Sequence, residues 1–355
     1  MKKIDVLKSF LEKGFQLDFE SLDFFHKNSD KIDQFFQKIS SKNKPTTVNV
    51  SFINEVMKEQ NENEKFKVLK TPKQAKDTLS VDDISQTLNK RYNFLKKILS
   101  TRIDLVNLIS INRITPKAKK FSAIILIKEK FDDEKALLAE DDTGEYKFFF
   151  RHEHDYKQLL PDDVVGVICE NEETIKIEKI IWPDMQMKRE INKTKEDFFV
   201  IISNHLSDHH EENEGSINEG SDKIKQKILL EKGHIKIGSR VLDFPSTIEV
   251  NEGTTILLMD SCFLKKYSEF EKDESSFIVS LLKRRNLDPT FQFNQAIFVN
   301  DPFIIEQIPD IFIVFGSSDS SSSNYKGTTI LTLPHSDKEK ITWVINLKTR
   351  EVVRK

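Results

Sequence analysis

The sequence predicts a multidomain α+β protein with a small helical module first, a small β-barrel next and a layered α/β domain last. The length of 355 residues is enough for two or three domains. Apolar residues keep a helical spacing to about residue 40, and short β-rich stretches replace that spacing from residue 106. After residue 195 further strands alternate with one helix, as in layered α/β domains.

The first predicted domain, residues 1–57, is the helical module. Its apolar residues recur at three- and four-residue steps, broken near Gly14 and Asn28, which indicates two or three short amphipathic helices. They are Ile4, Leu7, Phe10, Leu11, Leu22, Phe25, Ile32, Phe35, Phe36 and Ile39. We expect this stripe to form a core, and a partner-binding groove is the alternative. The polar residues 58–80 are predicted to be a linker.

Residues 81–185 are predicted to form one helix and a barrel. The helix begins near Asp82 and Asp83, whose carboxylates suit the positive end of a helix, and it continues to about Leu99. Six β-rich stretches follow, at residues 106–114, 121–127, 136–138, 146–150, 164–169 and 175–181. So many short strands with turn residues between them favour a Greek-key barrel of the OB type.

The last predicted domain, residues 195–355, is layered. Strands are expected at residues 198–203, 235–237, 248–250, 255–259, 311–315, 328–333 and 341–347, with a helix at about 274–284. Residues 208–222 contain six carboxylates and no Lys or Arg, so we expect a disordered acidic loop near 207–222.

Composition narrows the function classes. Lys plus Arg total 55 and Asp plus Glu total 58, so the chain lacks the basic character of a nucleic-acid coat protein. Glycines number 10, and none has the spacing of a phosphate-binding loop. The two cysteines exclude a zinc ribbon and a disulfide scaffold, and they suit a reducing compartment. We expect a cytoplasmic protein, since no signal peptide or run of about 20 apolar residues is present.

Histidines give weak indications of a metal site. The stretch His152-Glu153-His154 follows a predicted strand and could present two ligands on one face. His209 and His210 lie in the acidic loop, where nothing would fix their geometry. His205, His234 and His335 are isolated near strand ends. Exposed polar side chains are the simpler interpretation of all of these, because no paired-ligand motif accompanies them.

Basic and aromatic residues of the barrel are the candidates for nucleic-acid contact. Four cations precede or begin one strand: Arg113, Lys117, Lys119 and Lys120. On another strand, alternation places Phe148 and Phe150 on one face and Phe149 on the other, followed by Arg151. The paired rings suit a core, and Phe149 is the candidate for base stacking. Residues 283–285 form a second basic cluster, which a helix C-terminus also explains.

Several motifs resemble one protein family. Residues 281–289 (LLKRRNLDP) and 301–312 (DPFIIEQIPDIF) resemble the late part of the phosphoesterase domain in the small subunit of the archaeal D-family DNA polymerase. Residues 138–144 (LAEDDTG), 160–167 (LPDDVVGV) and 180–184 (IIWPD) are similar to the OB domain of that subunit. The resemblance covers nearly the whole chain in order. It implies that residues 195–355 form a shortened, calcineurin-like phosphoesterase domain.

The chain departs from the family at the positions that hold two catalytic metals. After the first strand the family has Ser-Asp-x-His-x-Gly, and this chain has Ser203-Asn204-His205-Leu206-Ser207. A family Tyr-His-Gly is replaced by Met259-Asp260-Ser261, and the final Gly-His-x-His by Gly316-Ser317-Ser318-Asp319. About 45 residues separate the first strand from residues 244–246, too few for the missing strand–helix repeats of about 30 residues each. We therefore expect no catalytic residue, bound metal or cofactor.

The resemblance implies a function in DNA replication. We expect a non-catalytic accessory subunit that binds the large polymerase subunit in a heterodimer and assists DNA binding, without a membrane. A sliding clamp is a further candidate partner, on which the sequence does not decide. One alternative is a 3′-5′ exonuclease with Mn²⁺ or Mg²⁺ on a rearranged set, His205, Asp208 and Asp260. The other alternative is a free-standing OB protein that binds single-stranded DNA.

Overall fold

A computed structural model describes residues 3–29, 31–38, 47–48, 52–53, 66–73, 80–186, 189–205, 224–231, 234–238, 240–251, 253–267, 273–290 and 301–355. They belong to two units, 1–65 and 66–355. The described chain is mixed α/β, with several sheets and few helices. No helix within it is long and apolar enough to cross a membrane. The predicted acidic loop near 207–222 lies outside these residues.

The first unit contains the short helices that the apolar spacing predicts. Its elements are α1 (Lys3–Glu12), β1 (Gln16–Leu17), α2 (Phe19–Lys27), α3 (Lys31–Lys38) and β2 (Thr47–Val48). Asp18 caps α2 by accepting a hydrogen bond from the amide of Ser21 at 2.8 Å. The rings of Phe10, Phe25 and Phe35 are fully buried, and adjacent rings lie about 5 Å apart. Phe10, Phe25, Ile32 and Phe35 of the apolar stripe therefore lie in this unit's core. Ile4 and Leu11 are exposed, so the prediction is wrong for these two, and Ile39 lies outside the described residues.

Strand β3 (Phe66–Lys70) lies inside the segment predicted to be a linker, so that prediction is wrong for these residues. The strand pairs antiparallel with residues 247–250. Phe66 and Val68 point to one face of the strand and pack on the core beneath it. Two apolar residues in a Lys-rich stretch are too few to show this alternation in the sequence.

Helix α4 (Val81–Leu99) confirms the helix predicted from the Asp pair. Ser80 and Asp83 form a capping box, in which each side chain accepts a hydrogen bond from the other residue's backbone amide at 3.2 Å. The helix buries Tyr92, Leu95 and Leu99. These three residues recur at steps of three and four, so they lie on one face of the helix, which packs on the core.

Five strands form a closed barrel with the order β4-β5-β6-β8-β7. They are β4 (Lys120–Phe131), β5 (Ala136–Asp141), β6 (Gly144–Phe150), β7 (Val164–Asn171) and β8 (Ile175–Ile181), with α5 (Glu153–Gln158) between β6 and β7. The first strand pairs antiparallel with β7, and β6 pairs parallel with β8. Phe148 and Val167 are among the fully buried core residues.

The strand predicted at residues 106–114 is wrong. These residues form turns and a 3-10 segment (Ile111–Arg113), with one isolated bridge from Leu108 to Ser122. Asn107 has a positive φ of 55°, which ends an extended run. Ile111 alone is buried, and Val106 and Leu108 are exposed. The stretch is therefore rich in apolar residues although it forms no strand of a sheet.

The layered domain contains two six-stranded sheets. The strands are β9 (Phe198–Ser203), β10 (Ile224–Glu231), β11 (His234–Ile237), β12 (Arg240–Leu242), β13 (Ser246–Val250), β14 (Thr254–Asp260), β15 (Ile311–Phe315), β16 (Ser321–Tyr325), β17 (Thr328–Leu333), β18 (Thr342–Asn346) and β19 (Val352–Arg354). One sheet has the order β12-β11-β10-β9-β18-β19, and the other has the order β16-β17-β15-β14-β13-β3.

The sheets pack face to face, with helices on the outer face of the second sheet. Ile256 and Leu258 of β14 point into the core between the sheets. Leu257 and Met259 point outward against α6 (Cys262–Lys265) and α7 (Glu274–Arg284). Because both faces of β14 and β15 are covered, both strands are buried throughout, and the residues 256–259 and 311–315 are all apolar. The sequence predicted the two strands for this reason. It missed β10, β12, β19 and also β16, whose residues are Ser, Asn and Tyr.

Candidate functional site

Parallel strands β14, β15 and β17 end at one edge of the second sheet. The residues that follow them meet there. The hydroxyl of Ser261 donates to the carbonyl of Gly316 at 2.5 Å. The ring of His335 lies so close to Gly316, whose φ is +76°, that a Cβ there would be 2.7 Å from it. We call Asn204, Asp260, Ser261, Gly316, Ser317 and His335 the carboxyl-end cluster.

Asn204, which follows β9, joins this cluster through its amide. Its Nδ2 donates to the carbonyls of Pro334 and Glu339, both at 2.7 Å, and its Oδ1 accepts from the amide of Ile341 at 2.9 Å. The side chain is almost fully buried. Its two amide hydrogens are therefore used by the backbone that follows β17, and a carboxylate at this position would lose both bonds.

The other positions at which metal ligands are expected to be lost also make hydrogen bonds that involve backbone groups. The carboxylate of Asp260 accepts a hydrogen bond from the amide of Cys262 at 2.7 Å. Ser317 is buried, and its amide donates to the carbonyl of Leu333 at 3.1 Å. Asp319 is exposed, and its carbonyl accepts from Thr332. Leu206 and Asp208 lie outside the described residues, so the set of His205, Asp208 and Asp260 is not described as a whole.

His205 is the one imidazole beside Asn204. Its Nδ1 lies 3.1 Å from the hydroxyl of Ser203 and 3.2 Å from Oδ1 of Asn204. Burial, with the charges of Lys340 and Lys227, lowers the pKa of His205. A neutral imidazole can bind a metal ion, but no group of three His, Cys, Asp or Glu residues within the described chain is placed to hold one. The donors of the cluster do not fit a dinuclear site.

A cleft of about 500 Å³ opens beside the cluster. Its two carboxylates from α7 are already hydrogen-bonded. Asp273 caps the helix through the amide of Ser276, which lowers the pKa of Asp273. Glu274 accepts from the amide and hydroxyl of Ser318 at 3.0 and 2.6 Å. These contacts hold the rim of the cleft in shape.

The predicted nucleic-acid residues divide into two groups. Arg113, Lys117, Lys119 and Lys120 are exposed and make no ion pair within the described chain. They lie on residues 113–120, here called the basic loop. Asn171 fixes this loop by donating from its backbone amide to Lys119 and from its side chain to the carbonyl of Thr115, at 2.8 and 3.1 Å.

Arg151 and Phe149 are placed differently. Arg151 lies within 3.5 Å of carboxylates of Glu170, Glu172 and Glu178, so its charge is compensated. Phe149 is half-buried, and the ammonium of Lys147 lies 5.8 Å from its ring centroid. The alternation of the three Phe residues is confirmed, since Phe148 is fully buried and Phe150 packs against the same core.

The pair of His residues predicted on one strand face is wrong. His152 is the residue before α5, and His154 lies in its first turn, with Nε2 2.6 Å from the amide nitrogen of Gln158. The segment is helical because Tyr156 and Leu159 must both reach the barrel core. The two imidazoles therefore do not alternate along an extended chain.

Buried ion pairs that the sequence did not indicate join the barrel region to the layered domain. Arg284 Nε lies 3.0 Å from Asp163, and its guanidinium stacks 4.6 Å from the centroid of Trp182. Arg91 binds both oxygens of Asp301, at 2.5 and 3.1 Å. Within the basic cluster 283–285, Arg284 therefore differs from Lys283, because its charge is buried in an ion pair that stabilises the fold. Partners 121 and 210 residues apart leave no local signal in a sequence.

No protein-family model matches this chain, and no curated protein matches it significantly.

Proposed function

We propose that this chain is a non-catalytic accessory subunit of a D-family replicative DNA polymerase. As such a subunit, it binds the large polymerase subunit and assists DNA binding. The order of a helical unit, a closed barrel and a two-sheet layered domain supports the proposal, because the resembled small subunit has the same order.

We assign the barrel to the OB type and the layered domain to a shortened phosphoesterase type. The barrel order is first, second, third, fifth, fourth, and the third and fifth strands are parallel, as in five-stranded OB barrels. Helix α5 connects the third and fourth strands. In the layered domain, helices cover one face of a sheet whose parallel strands end at a common edge, which is where α/β folds place their sites.

The carboxyl-end cluster carries the non-catalytic part of the proposal. Phosphodiester hydrolysis by two metals needs bridging carboxylates and imidazoles at this edge. Here Asn204 binds three backbone groups, the carboxylate of Asp260 accepts a hydrogen bond from the amide of Cys262, and His335 packs on Gly316. The positions therefore stabilise the edge itself. A domain of this kind still binds a protein partner through its surface after its hydrolytic activity is lost.

A nuclease assay separates this function from the exonuclease alternative. The purified chain is incubated with end-labelled single-stranded DNA in Mn²⁺ or Mg²⁺, beside the variant His205→Ala. We expect no metal-dependent digestion above that of the variant. Digestion by the original chain that disappears in His205→Ala would establish a rearranged exonuclease site and refute the non-catalytic function.

A further inference from the structure

A second pocket lies between α5 of the barrel and α7 of the layered domain. Its volume is about 210 Å³. Its polar lining comes from both sides: His154 and Lys157 from α5, and Ser280, Lys283 and Arg284 from α7. Trp182, at the end of the barrel, supplies an aromatic wall. We call this space the seam pocket.

The lining of the seam pocket is basic. Among the described residues that line it, three are Lys or Arg, one is His and none is Asp or Glu. Lys157 pairs with Glu153 at 3.0 Å on the exposed side of α5. For Lys283 the structure shows no carboxylate partner within the described chain, and its ammonium lies 5.8 Å from the ring of Tyr325. Since Arg284 is paired with Asp163 and Lys157 with Glu153, Lys283 supplies the uncompensated charge that favours an anion in the pocket.

Arg284 makes the pocket rigid. Asp163 accepts from its Nε at 3.0 and 3.3 Å, the carbonyl of Gln158 accepts from its Nη2, and Trp182 stacks on its plane. Because these contacts cross from the barrel to α7, both walls are held at a fixed separation. Fixed walls reduce the entropy lost when a ligand binds.

We propose that the seam pocket binds the phosphate of a nucleoside monophosphate, either free or at the 5′ end of a DNA strand. Lys283 and Lys157 donate charge-assisted hydrogen bonds to phosphate oxygens. Trp182 provides an aromatic surface beside the nucleoside. This ligand goes beyond the accessory function and does not depend on a polymerase subunit.

Calorimetric titration of the full chain with dTMP, inorganic phosphate and thymidine tests the pocket. We expect dTMP to bind and thymidine to bind at least about tenfold more weakly, since one charge-assisted bond is worth roughly a factor of ten. Lys283→Gln and Lys157→Gln should each weaken the binding of dTMP about tenfold, because each variant removes one charge-assisted hydrogen bond. Lys90→Gln, on an exposed part of α4 outside the pocket, is the matched control and should leave binding unchanged.

Oligo(dT) with and without a 5′-phosphate distinguishes the two sources of the phosphate. Tighter binding of the phosphorylated strand, lost in Lys283→Gln, supports a strand end. Equal binding of the two strands, with dTMP still dependent on Lys283, supports a free nucleotide. Thymidine binding as tightly as dTMP, or dTMP binding unchanged in both lysine variants, would overturn the pocket while leaving the accessory function untouched.

Discussion

Asn204 shows how one side chain can fix the backbone at the edge of a sheet. Its amide supplies two donors and one acceptor to the backbone of residues 334–341, and water has almost no access to it. An aspartate at this position has the same shape and lacks both donors. Restoring the carboxylate of the resembled family would therefore disrupt the edge rather than rebuild a site.

Asn204→Asp should lower the free energy of unfolding by about 2–4 kcal/mol, because it leaves two buried carbonyls without donors and buries a charge. Urea denaturation at neutral pH measures this loss. The exposed Asp319 is the control, and Asp319→Asn should change stability by less than about 0.5 kcal/mol. Equal stability of Asn204→Asp and the original chain would contradict the network.

Gly316 is required by its backbone and by its neighbour. Its φ of +76° and the 2.7 Å approach of the His335 ring leave no room for a Cβ. Gly316→Ala should cost roughly 2–4 kcal/mol. Gly327, with φ +86° and the movable end of Ile191 3.3 Å from its Cβ position, is the control, and Gly327→Ala should cost about 1 kcal/mol.

A double variant isolates the contact with the ring. In a His335→Ala background, Gly316→Ala should cost at least about 1 kcal/mol less than in the original chain, because the two residues touch. Thermal or urea unfolding of the four proteins gives this coupling energy. Additive costs would show that the ring does not restrict Gly316.

Cys262 is an exposed cysteine whose thiol is held protonated. Burial of its sulfur, followed by the hydrogen bond and charge of Asp260, raises its pKa to about 12. Thiolate is the reactive form, so alkylation by iodoacetamide should keep rising between about pH 8 and pH 10 instead of levelling near the ordinary value of about 8.5. Asp260→Asn should speed labelling at about pH 8. A plateau near pH 9 would contradict the raised pKa.

Among the elements, the basic loop is the part of the barrel at which we propose that DNA binds. The variant with Lys117, Lys119 and Lys120 all changed to Gln removes three unpaired cations. The slope of log affinity for oligo(dT) against log salt should shrink by about 2, since each phosphate contact to a single strand contributes about 0.7. Fluorescence anisotropy over a salt series measures this slope.

Arg151→Gln is the matched control for the loop variant. Its cation already lies among Glu170, Glu172 and Glu178, so its removal should leave the salt slope unchanged. A larger effect from Arg151 than from the three loop lysines together would place the DNA at Arg151 instead of at the basic loop.

Elements covered on both faces, or with a long helical stripe, were predictable from the sequence. β9, β15, β17 and α7 have the predicted bounds, because their apolar patterns follow directly from burial. β16 is an edge strand of Ser and Asn, and its pairing with β17 comes from the sheet rather than from its own residues. Residues 106–114 show the opposite error, where apolar composition suggested a strand in a segment that forms turns and a 3-10 segment, with Ile111 buried.

The candidate site was predictable only in part. The basic loop and the altered ligand positions could be found from the sequence, because charge and motif are local properties. The contact of His335 with Gly316, the ion pair of Arg91 with Asp301 and the seam pocket could not. Each joins residues from separate elements, and only the packing of sheets and barrel brings them together.

Across residues 66–355, the barrel and the layered domain are joined by buried charge. Asp163 and Arg284 are both almost fully buried, and a buried Arg91 pairs with the partly exposed Asp301. Breaking a buried pair is far more costly than losing an exposed one. This rigid connection gives the proposed accessory subunit a single surface that spans both domains. We infer that the large polymerase subunit binds this combined surface, with the cluster edge held in place by hydrogen bonds.

Co-expression with a large D-family polymerase subunit tests the proposed function most directly. The tagged chain is purified and its mass measured by light scattering after gel filtration. We predict one species that contains both chains and extends a DNA primer, with no metal-dependent digestion contributed by this chain. Elution of the chain alone at its own mass of 41.4 kDa, with the large subunit in a separate peak, would contradict the proposed function.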